Sequence, residues 1–500
     1  MGVRFFFLLA AALMCNSLHA QQVETSLDAS TFLSGPPADT SVEYLKDYTQ
    51  YLWGKSVRNA SGWEYAAADI NFQLTTYTKA FTPYVGLQIS KDNTPSIYRA
   101  LEYVLTSGKK AIENIKTGFG SSMPPYARFN EQSLVPSMEK EYSTISSYPS
   151  SFAFMGWLTA LTLVEICPDK QDDILLRGYN FGMSSVIAGY NWDSDIVSGR
   201  IMACAQTVML HSQSVFKNMM TAARTEYAQK TGITNIIKSA DSDASSFPNE
   251  NLPHATRYLP EPPSLESVSF SYDLNQHIVN SKKRATSEGK TATADIDAST
   301  EYLSNIFSSA FGKTISSTDT PLLYKLISRI NQIGLPAYNT AKDKYMRVCP
   351  YVLLNQKTSY EPDEESSKEK GSYPSAHSAE GWLVGMVLSE INAERAEQLL
   401  ARAYKFGQGR VITGYNWQSD VDAGRLVAST IYAYLHACSD FLTLMELAKS
   451  EYNGSTGISE KPTGKDQRDT PYFKLDGTRI EGSPSSAGIY IQGNKKIIVK

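Results

Sequence analysis

The sequence repeats itself at a spacing of 225 residues, and this repeat restricts the fold more than any other feature. The stretch Gly189–Asp195 (GYNWDSD) returns as Gly414–Asp420 (GYNWQSD), and Tyr148–Ser150 returns as Tyr373–Ser375. Self-similarity that keeps its register over roughly 180 residues indicates two copies of one structural unit. Further matches keep the spacing to within one residue: Phe32 with Tyr258, Thr94 with Thr320, and His211 with His436.

The repeat defines the domains that we expect. The first copy runs from about residue 27 to 232 and the second from about residue 252 to 457. Between them, Ser239–Asn251 is rich in Ser, Asp and Asn, which is typical of a linker. A signal peptide at residues 1–20 and a tail at residues 470–500 complete the predicted organisation.

The first twenty residues have the pattern of a secretion signal. Arg4 gives the positive start, Phe5–Met14 the apolar segment and Leu18–Ala20 the cleavage site. The longest later apolar run, Ala153–Val164, is shorter than the roughly 18 residues that a membrane helix needs, so we expect a buried core helix there. We therefore predict an exported protein without a transmembrane segment, located in the periplasm, or at the cell surface or secreted where the tail acts as a sorting signal.

Composition and charge exclude some classes of function. The formal net charge of -4 leaves no basic excess to neutralise phosphates, which argues against a nucleic-acid partner. The cysteines that follow the signal form no CxxC pair, so we predict no zinc site, and the sequence leaves their disulfide status open. They are Cys167, Cys204, Cys349 and Cys438. No other metal and no cofactor is predicted.

Each copy has the apolar spacing of α-helices. In the second copy Leu383, Met386, Val387 and Ile391 fall on one helical face. The stretch from Ala393 to Phe406 continues as helix, and we expect Gly407 and Gly409 to break it. Neither copy contains a convincing alternation of apolar and polar residues, so the predicted fold class is all-α, with two tandem helical bundle domains.

The tail has a different pattern. Ile489–Gln492, the pair Gly493-Asn494 and Lys495–Val499 predict a strand, a two-residue turn and a strand, and Leu475–Ile480 predicts an earlier hairpin. This arrangement resembles the C-terminal sorting domains of the type IX secretion system, whose machinery would then be a partner. A plain structural β-appendage explains the same pattern.

The second copy resembles the bacterial class A non-specific acid phosphatases. These belong to the type 2 phosphatidic acid phosphatase superfamily, which also contains the vanadium haloperoxidases. The likeness covers nearly the whole repeat and implies a helical bundle that hydrolyses phosphate monoesters. The residues that carry it are Tyr258–Pro263, Ala341–Arg347, Gly371–Ser375 and Gln418–Asp422.

The active site that this resemblance implies has three motifs: Lys-x6-Arg-Pro, Pro-Ser-Gly-His, and Ser-Arg-x5-His-x3-Asp. The cationic side chains, the serine hydroxyl and helix N-termini hold the phosphate. The last His attacks phosphorus and the Asp orients that His, while the His of the second motif protonates the leaving group and then activates water.

Both copies depart from these motifs. Asn416 and Asn191 stand where the nucleophilic His belongs, and Cys349 replaces the first Arg of the second copy. In the first copy Phe152 replaces the acid His and Ser185 the second Arg. The second copy keeps Lys342, Ser375, His377, Arg410 and Asp420, with Ala376 in place of Gly. The first copy keeps Lys116, Ser150 and Asp195.

These departures favour a phosphate-binding protein with reduced chemistry. An amide nitrogen is no nucleophile, and losing a covalent nucleophile costs a factor on the order of 10⁴ to 10⁶ in rate. The second copy is thus interpreted as a phosphate- or phosphomonoester-binding pseudo-phosphatase or a surface scaffold. Two alternatives stay open: a weakened hydrolase in which His377 activates water, and a Cys349 nucleophile with a lowered pKa, although Cys349 as a small apolar filler fits better. Haloperoxidase activity is disfavoured, and the sequence leaves the oligomeric state open.

Two further groups of side chains are predicted to serve structure. His211 and His436 occupy helix positions with apolar neighbours in both copies. The aromatic residues that flank Asn191 and Asn416 are predicted to pack in the core. The first copy as a whole is interpreted as a structural or binding domain.

Overall fold

A computed structural model describes residues 27–233, 247–249 and 251–454, together with tail segments 472–474, 479–480, 488–492 and 495–499. Among the described residues, those up to Gly454 form one unit, and those of the tail form another. Both predicted domains, 27–232 and 252–457, fall essentially within the first unit, so the boundary between them stays a prediction. The predicted signal peptide and most of the predicted linker lie outside the described residues.

The described residues between 27 and 454 are mostly helical, and the nine helices of the first half have counterparts in the same order among the eleven of the second. The helices of the first half are α1 Val42–Ser56, α2 Leu74–Val85, α3 Pro95–Lys116, α4 Pro125–Arg128, α5 Glu139–Tyr142, α6 Ser151–Ile166, α7 Gln171–Ala188, α8 Asp193–His211 and α9 Ser214–Thr231. Those of the second half are α10 Ala255–Tyr258, α11 Val268–Ser281, α12 Ser287–Ala294, α13 Thr300–Phe311, α14 Pro321–Tyr345, α15 Pro350–Leu353, α16 Glu364–Lys368, α17 Ala376–Ile391, α18 Ala396–Thr413, α19 Gln418–His436 and α20 Ser439–Tyr452. The predicted all-α fold class is confirmed.

Helices α6 and α17 are the core helices of the two halves. Every residue of α6 after Ser151 is buried, as the run Ala153–Val164 predicted, and a helix that is apolar all round must lie inside the protein. The hydroxyl oxygens of Ser150 and Ser375 cap the two helices, because they accept hydrogen bonds from the backbone N–H groups of Ala153 (3.1 Å) and Ser378 (3.3 Å).

The expected helix break at Gly407 and Gly409 is wrong. Helix α18 continues through both glycines to Thr413 and ends at Gly414, whose φ of +92° favours glycine. A Cβ atom on Gly407 would lie 2.7 Å from the hydroxyl oxygen of Ser378. The glycine therefore allows α18 to approach α17 closely, and this packing outweighs the roughly 1 kcal/mol that glycine costs inside a helix.

The two halves pack through equivalent residues. Helix α6 contacts α19, helix α17 contacts α8, and α8 contacts α19. Phe32 packs on Trp382 with 6.3 Å between ring centroids, and Tyr258, 226 residues after Phe32, packs on Trp157 at 6.2 Å. The indole N–H of Trp157 also donates to the hydroxyl of Ser429 at 3.1 Å. The interface therefore has approximate twofold symmetry.

His211 and His436 meet at this interface, where their ring centroids are 3.8 Å apart. The Nε2 atom of His211 lies 3.0 Å from a carboxylate oxygen of Glu165, and that of His436 lies 2.9 Å from Glu390. Both imidazoles are buried, which fits the structural role predicted for them. Two cations complete the network: Arg224 pairs with Glu165, and Lys449 pairs with Glu390.

The tail forms an antiparallel sheet in the order β2-β1-β3-β4. Its strands are β1 Tyr472–Lys474, β2 Arg479–Ile480, β3 Gly488–Gln492 and β4 Lys495–Val499. Gln492 pairs with Lys495, so two residues separate β3 from β4, as predicted. Strand β2 lies within the range of the earlier predicted hairpin and pairs with β1, which precedes that range, while residues 475–478 lie outside the described residues.

The four cysteines of the described residues are buried and form no disulfide with one another. Cys167, Cys204, Cys349 and Cys438 therefore act as small core side chains, and the open question of their pairing is answered. None of the helices in the described residues is both long and apolar enough to span a bilayer.

Candidate functional site

A cavity of about 480 Å³ opens in the second half between helices α14, α17 and α18. It brings together five of the predicted site residues: Lys342, Ala376, His377, Arg410 and Asn416. Other side chains on its wall are Tyr338, Asp343, Cys349, Glu369, Lys370, Glu380 and Tyr415.

Two cations reach this cavity from helix ends. Lys342 lies in the last turn of α14 and donates to the carbonyl oxygen of Gly371 at 2.8 Å. Arg410 lies in the last turn of α18, with its guanidinium 4.2 Å from the ring centroid of Tyr415. Burial lowers the pKa of Lys342 and lowers that of Arg410 to about 10, so Arg410 stays charged at neutral pH. The N-terminus of α17 adds its dipole, and together these groups favour an anion.

Asn416 is held by hydrogen bonds on both sides of its amide. Its Nδ2 donates to the carbonyl oxygen of Ser372 at 2.8 Å. Its Oδ1 accepts from the hydroxyl of Ser375 at 3.3 Å and from Nε of Arg410 at 3.2 Å. The amide therefore joins the serine and the arginine of the site, and it orients the guanidinium.

His377 occupies the first turn of α17. Its ring is stacked on Phe406 at 5.4 Å, and its Nε2 lies 2.7 Å from the carbonyl oxygen of Ile296. Burial, reinforced by the positive charge of Arg410, lowers the pKa of His377 to about 3. The imidazole is therefore neutral at ordinary pH, and its Nε2 carries the hydrogen because the facing carbonyl can only accept.

Asp420 lies behind the cavity, and its partner is a residue that the sequence analysis missed. One carboxylate oxygen accepts from the backbone N–H of Trp417 at 2.8 Å. The other accepts from Arg347 at 2.5 Å, and Arg347 also donates to Asp273 at 2.7 Å. Arg347 has no place in the motifs, so no sequence signal indicated this pairing. The first half has Ser122 at the equivalent position.

The corresponding cavity of the first half is smaller, about 130 Å³, and its wall is more aromatic. Phe152 stands in place of the histidine and is stacked on Phe72 at 4.5 Å. Lys116 donates to the backbone carbonyl oxygens of Ser146 (2.7 Å) and Pro149 (2.5 Å). The ammonium group of Lys116 is therefore bound by backbone carbonyl oxygens.

The remaining predicted residues of the first half bind one another. Asn191 accepts from the hydroxyl of Ser150 at 2.8 Å and donates to Asp195 at 3.2 Å. Burial raises the pKa of Asp195 and lowers that of Lys116. Asp195 has no counterpart of the arginine that binds Asp420, because the position equivalent to Arg347 is Ser122 in the first half.

Comparison with known proteins identifies the family. Residues 322–443 match the PAP2 superfamily profile. A 195-residue stretch is 41% identical to the non-specific acid phosphatase of Providencia stuartii and covers 39% of this chain and 79% of that protein. The chain belongs to the PAP2 superfamily. Within this superfamily, it is 37% identical over 205 residues to the non-specific acid phosphatase of Salmonella typhimurium, covering 41% of this chain and 82% of that protein. The acid phosphatase of Zymomonas mobilis is 32% identical over 205 residues, covering 41% and 78% respectively.

The alternative of a Cys349 nucleophile does not fit this PAP2 site. Burial and the charge of Asp420 raise the pKa of the Cys349 thiol to about 11, although Lys342 and Arg410 act in the opposite direction. A thiol with that pKa is almost entirely protonated at neutral pH, whereas the thiolate is the nucleophile. The expectation of a lowered pKa is therefore wrong, because the loss of solvation exceeds the effect of the nearby cations.

The PAP2 cavity of the second half also contains Glu380, which the sequence analysis missed. Glu380 lies one turn after His377 on α17 and accepts a hydrogen bond from the hydroxyl of Tyr338 at 2.8 Å. Burial raises the pKa of Glu380 to about 7. A signal was present in the sequence: Glu380 places a carboxyl group where the first half has Met155.

Proposed function

We propose that this protein is an exported phosphate-binding member of the PAP2 superfamily that has lost the covalent step of phosphomonoester hydrolysis. The cavity of the second half binds phosphate or a phosphomonoester, and the first half is a structural domain. The observation that carries the proposal is Asn416, an amide at the position of the nucleophile that is already bonded to Ser372, Ser375 and Arg410.

Neither of the other candidate groups replaces the lost chemistry. The pKa of His377, lowered to about 3, leaves the imidazole too weak a base to activate water efficiently near neutral pH and deprotonated when an acid is needed. The pKa of Cys349, raised to about 11, leaves almost no thiolate. The alternative of a hydrolase that uses His377 directly rests only on the place of this residue in the cavity wall.

The binding capacity of the site is supported by its charges. Lys342, Arg410 and the N-terminus of α17 converge on a cavity large enough for a phosphate group with a substituent. The names of the relatives, which are acid phosphatases, point to the same ligand class. In the first half Lys116 is engaged by backbone carbonyls and Phe152 fills the place of the histidine, so that half is not proposed as an anion site.

We expect the mature protein to give no measurable turnover of p-nitrophenyl phosphate and Asn416→His to gain turnover of at least about tenfold over background, because an imidazole restores a nucleophile beside Arg410. The gain stays far below full recovery of turnover, because Arg347 still forms an ion pair with Asp420, the residue expected to orient the new histidine. The matched control is Asn191→His, which places the same residue in the cavity without an arginine or acid histidine and should give no gain. Turnover in the wild-type protein that is abolished by His377→Ala would show that hydrolysis survives.

The history and destination of the chain are part of the proposal. The Asn in the same Gly-Tyr-Asn-Trp context of both halves is explained most simply by loss of the histidine followed by tandem duplication. Export through a signal peptide, and sorting through the β tail, follow from the sequence patterns. Mass spectrometry of protein from cell fractions is expected to find a mature N-terminus at Gln21 outside the cytoplasm, and an intact Met1 on exported protein would contradict this.

A further inference from the structure

Glu380 places a carboxyl group inside the cavity that Lys342 and Arg410 also line. Its Oε1 accepts a hydrogen bond from the hydroxyl of Tyr338, a residue of α14. The first half has Met155 and Ile112 at the equivalent positions, so it lacks both members of this polar pair. It is also the half in which the predicted phosphate-binding residues are degenerate. The Tyr338–Glu380 pair thus occurs together with Arg410 and His377.

The charged and titratable groups around Glu380 come from each neighbouring element. Helix α14 contributes Lys342 besides Tyr338, helix α18 contributes Arg410, and α17 itself contributes His377. Cys349 precedes α15, and Asp343, Glu369 and Lys370 lie on the same wall. Burial raises the pKa of the carboxyl to about 7, against the opposing effects of Tyr338, Arg410 and Lys342. The group therefore gains and loses its proton near neutral pH.

An ionised carboxylate and an oxyanion repel each other unless a proton lies between them. We propose that an oxyanion bound in this cavity shares one proton with Glu380, which makes Glu380 a residue that selects among phosphate, phosphate esters and sulfate. This inference rests on the proposed function, since it requires that the cavity binds an anion.

The proton has two sources, and they predict different selectivity. At acid pH the protonated Glu380 donates its hydrogen to any bound oxyanion, in the way that a carboxylic acid kept neutral by burial can act as a donor. At alkaline pH Glu380 is ionised and accepts a hydrogen from the ligand. Inorganic phosphate still carries one hydroxyl there, whereas sulfate and the dianion of a phosphomonoester carry none. The cavity should therefore accept all three at acid pH and prefer inorganic phosphate at alkaline pH.

The test is calorimetric titration of the mature protein with sodium phosphate and with sodium sulfate, at about pH 5.5 and about pH 8.5. The ratio of the sulfate Kd to the phosphate Kd is expected to rise at least about tenfold between these values, because above its pKa the carboxyl loses about tenfold in protonated fraction per pH unit. The ratio cancels any common loss of affinity from titration of Lys342. Phenyl phosphate should follow sulfate.

Three variants locate the effect. Glu380→Gln, which cannot ionise, should reduce the pH-dependent change of the ratio to less than about threefold. Tyr338→Phe removes a hydrogen bond to the carboxylate, which raises the pKa of Glu380 and moves the change to higher pH. Glu394→Gln is the matched control, because it removes an exposed carboxylate that does not line the cavity and should leave the ratio as in the wild-type protein.

The two proposals fail in different ways. If phosphate and sulfate bind but their ratio stays constant with pH, or if the change persists in Glu380→Gln, the role of Glu380 is wrong and the proposed function stands. If neither anion binds at either pH, the proposed function is wrong, and the inference falls with it.

Discussion

Replacement of Arg347 with methionine is expected to lower the free energy of unfolding by about 3–5 kcal/mol, the usual effect of removing one partner from a buried ion pair. Arg347 is buried and its guanidinium joins two carboxylates, those of Asp273 (2.7 Å) and Asp420 (2.5 Å). It also donates to the hydroxyl of Ser419 at 2.7 Å. Without the cation, two buried carboxylates would lie near each other with no positive charge between them. Urea denaturation at pH 7, followed by circular dichroism, measures the change in unfolding free energy.

Two controls separate the charge from the shape of the side chain. Arg347→Lys should recover only part of the stability, because an ammonium group cannot donate to both carboxylates with the geometry of a guanidinium. Arg347→Met combined with Asp273→Asn should be more stable than Arg347→Met alone, since one uncompensated charge is removed. Identical urea midpoints for the wild-type protein and Arg347→Met would mean that water already solvates this site.

Replacement of Glu390 with alanine is the second large expected effect, again about 3–5 kcal/mol. Glu390 accepts hydrogen bonds from Tyr432 at 2.6 Å and Lys449 at 2.7 Å, and it lies 2.9 Å from Nε2 of His436. Its removal leaves a mostly buried ammonium group and a buried hydroxyl without their acceptor, at the interface between the two halves. Differential scanning calorimetry should show a lower Tm, and Glu446→Ala, on the exposed part of α20, should change it little.

The same network predicts how stability depends on pH. Burial alone would raise the pKa of Glu390, but His436 and Lys449 hold it well below its ordinary value of 4.5. The pKa of Glu165 is also lowered, by His211 and Arg224 against the effect of burial. A group with a lowered folded-state pKa stabilises the fold above its unfolded-state pKa and loses this contribution as the pH falls. The Tm of the wild-type protein should therefore fall below about pH 4.5, and that of Glu390→Ala should fall less.

The sequence was sufficient for the parts of the site that depend on local spacing. The motifs that resemble those of the acid phosphatases, each defined by its spacing, predicted that Lys342, His377, Arg410 and Asn416 meet, and all four line one cavity. Helix α6 was predicted because a continuous apolar run of its length has to be buried.

The parts that were missed depend on partners distant in the sequence. The role of Arg347 is set by Asp273, which lies 74 residues earlier in the chain. Gly407 was expected to break a helix, but Ser378 on the neighbouring helix explains why a glycine is needed there. The charge state of Cys349 depends on desolvation, which proximity to Lys342 in a motif does not reveal. In each case the tertiary environment overrides a local rule.

The interface around His211 and His436 has one more consequence. In an assembly of two identical chains, every substitution appears on both sides of the twofold axis, and dilution separates the partners. Here the two sides belong to one chain, so their association is intramolecular and independent of protein concentration. A substitution in one half also leaves the other half unchanged. The second half can therefore have Glu380 while the equivalent position of the first half has Met155.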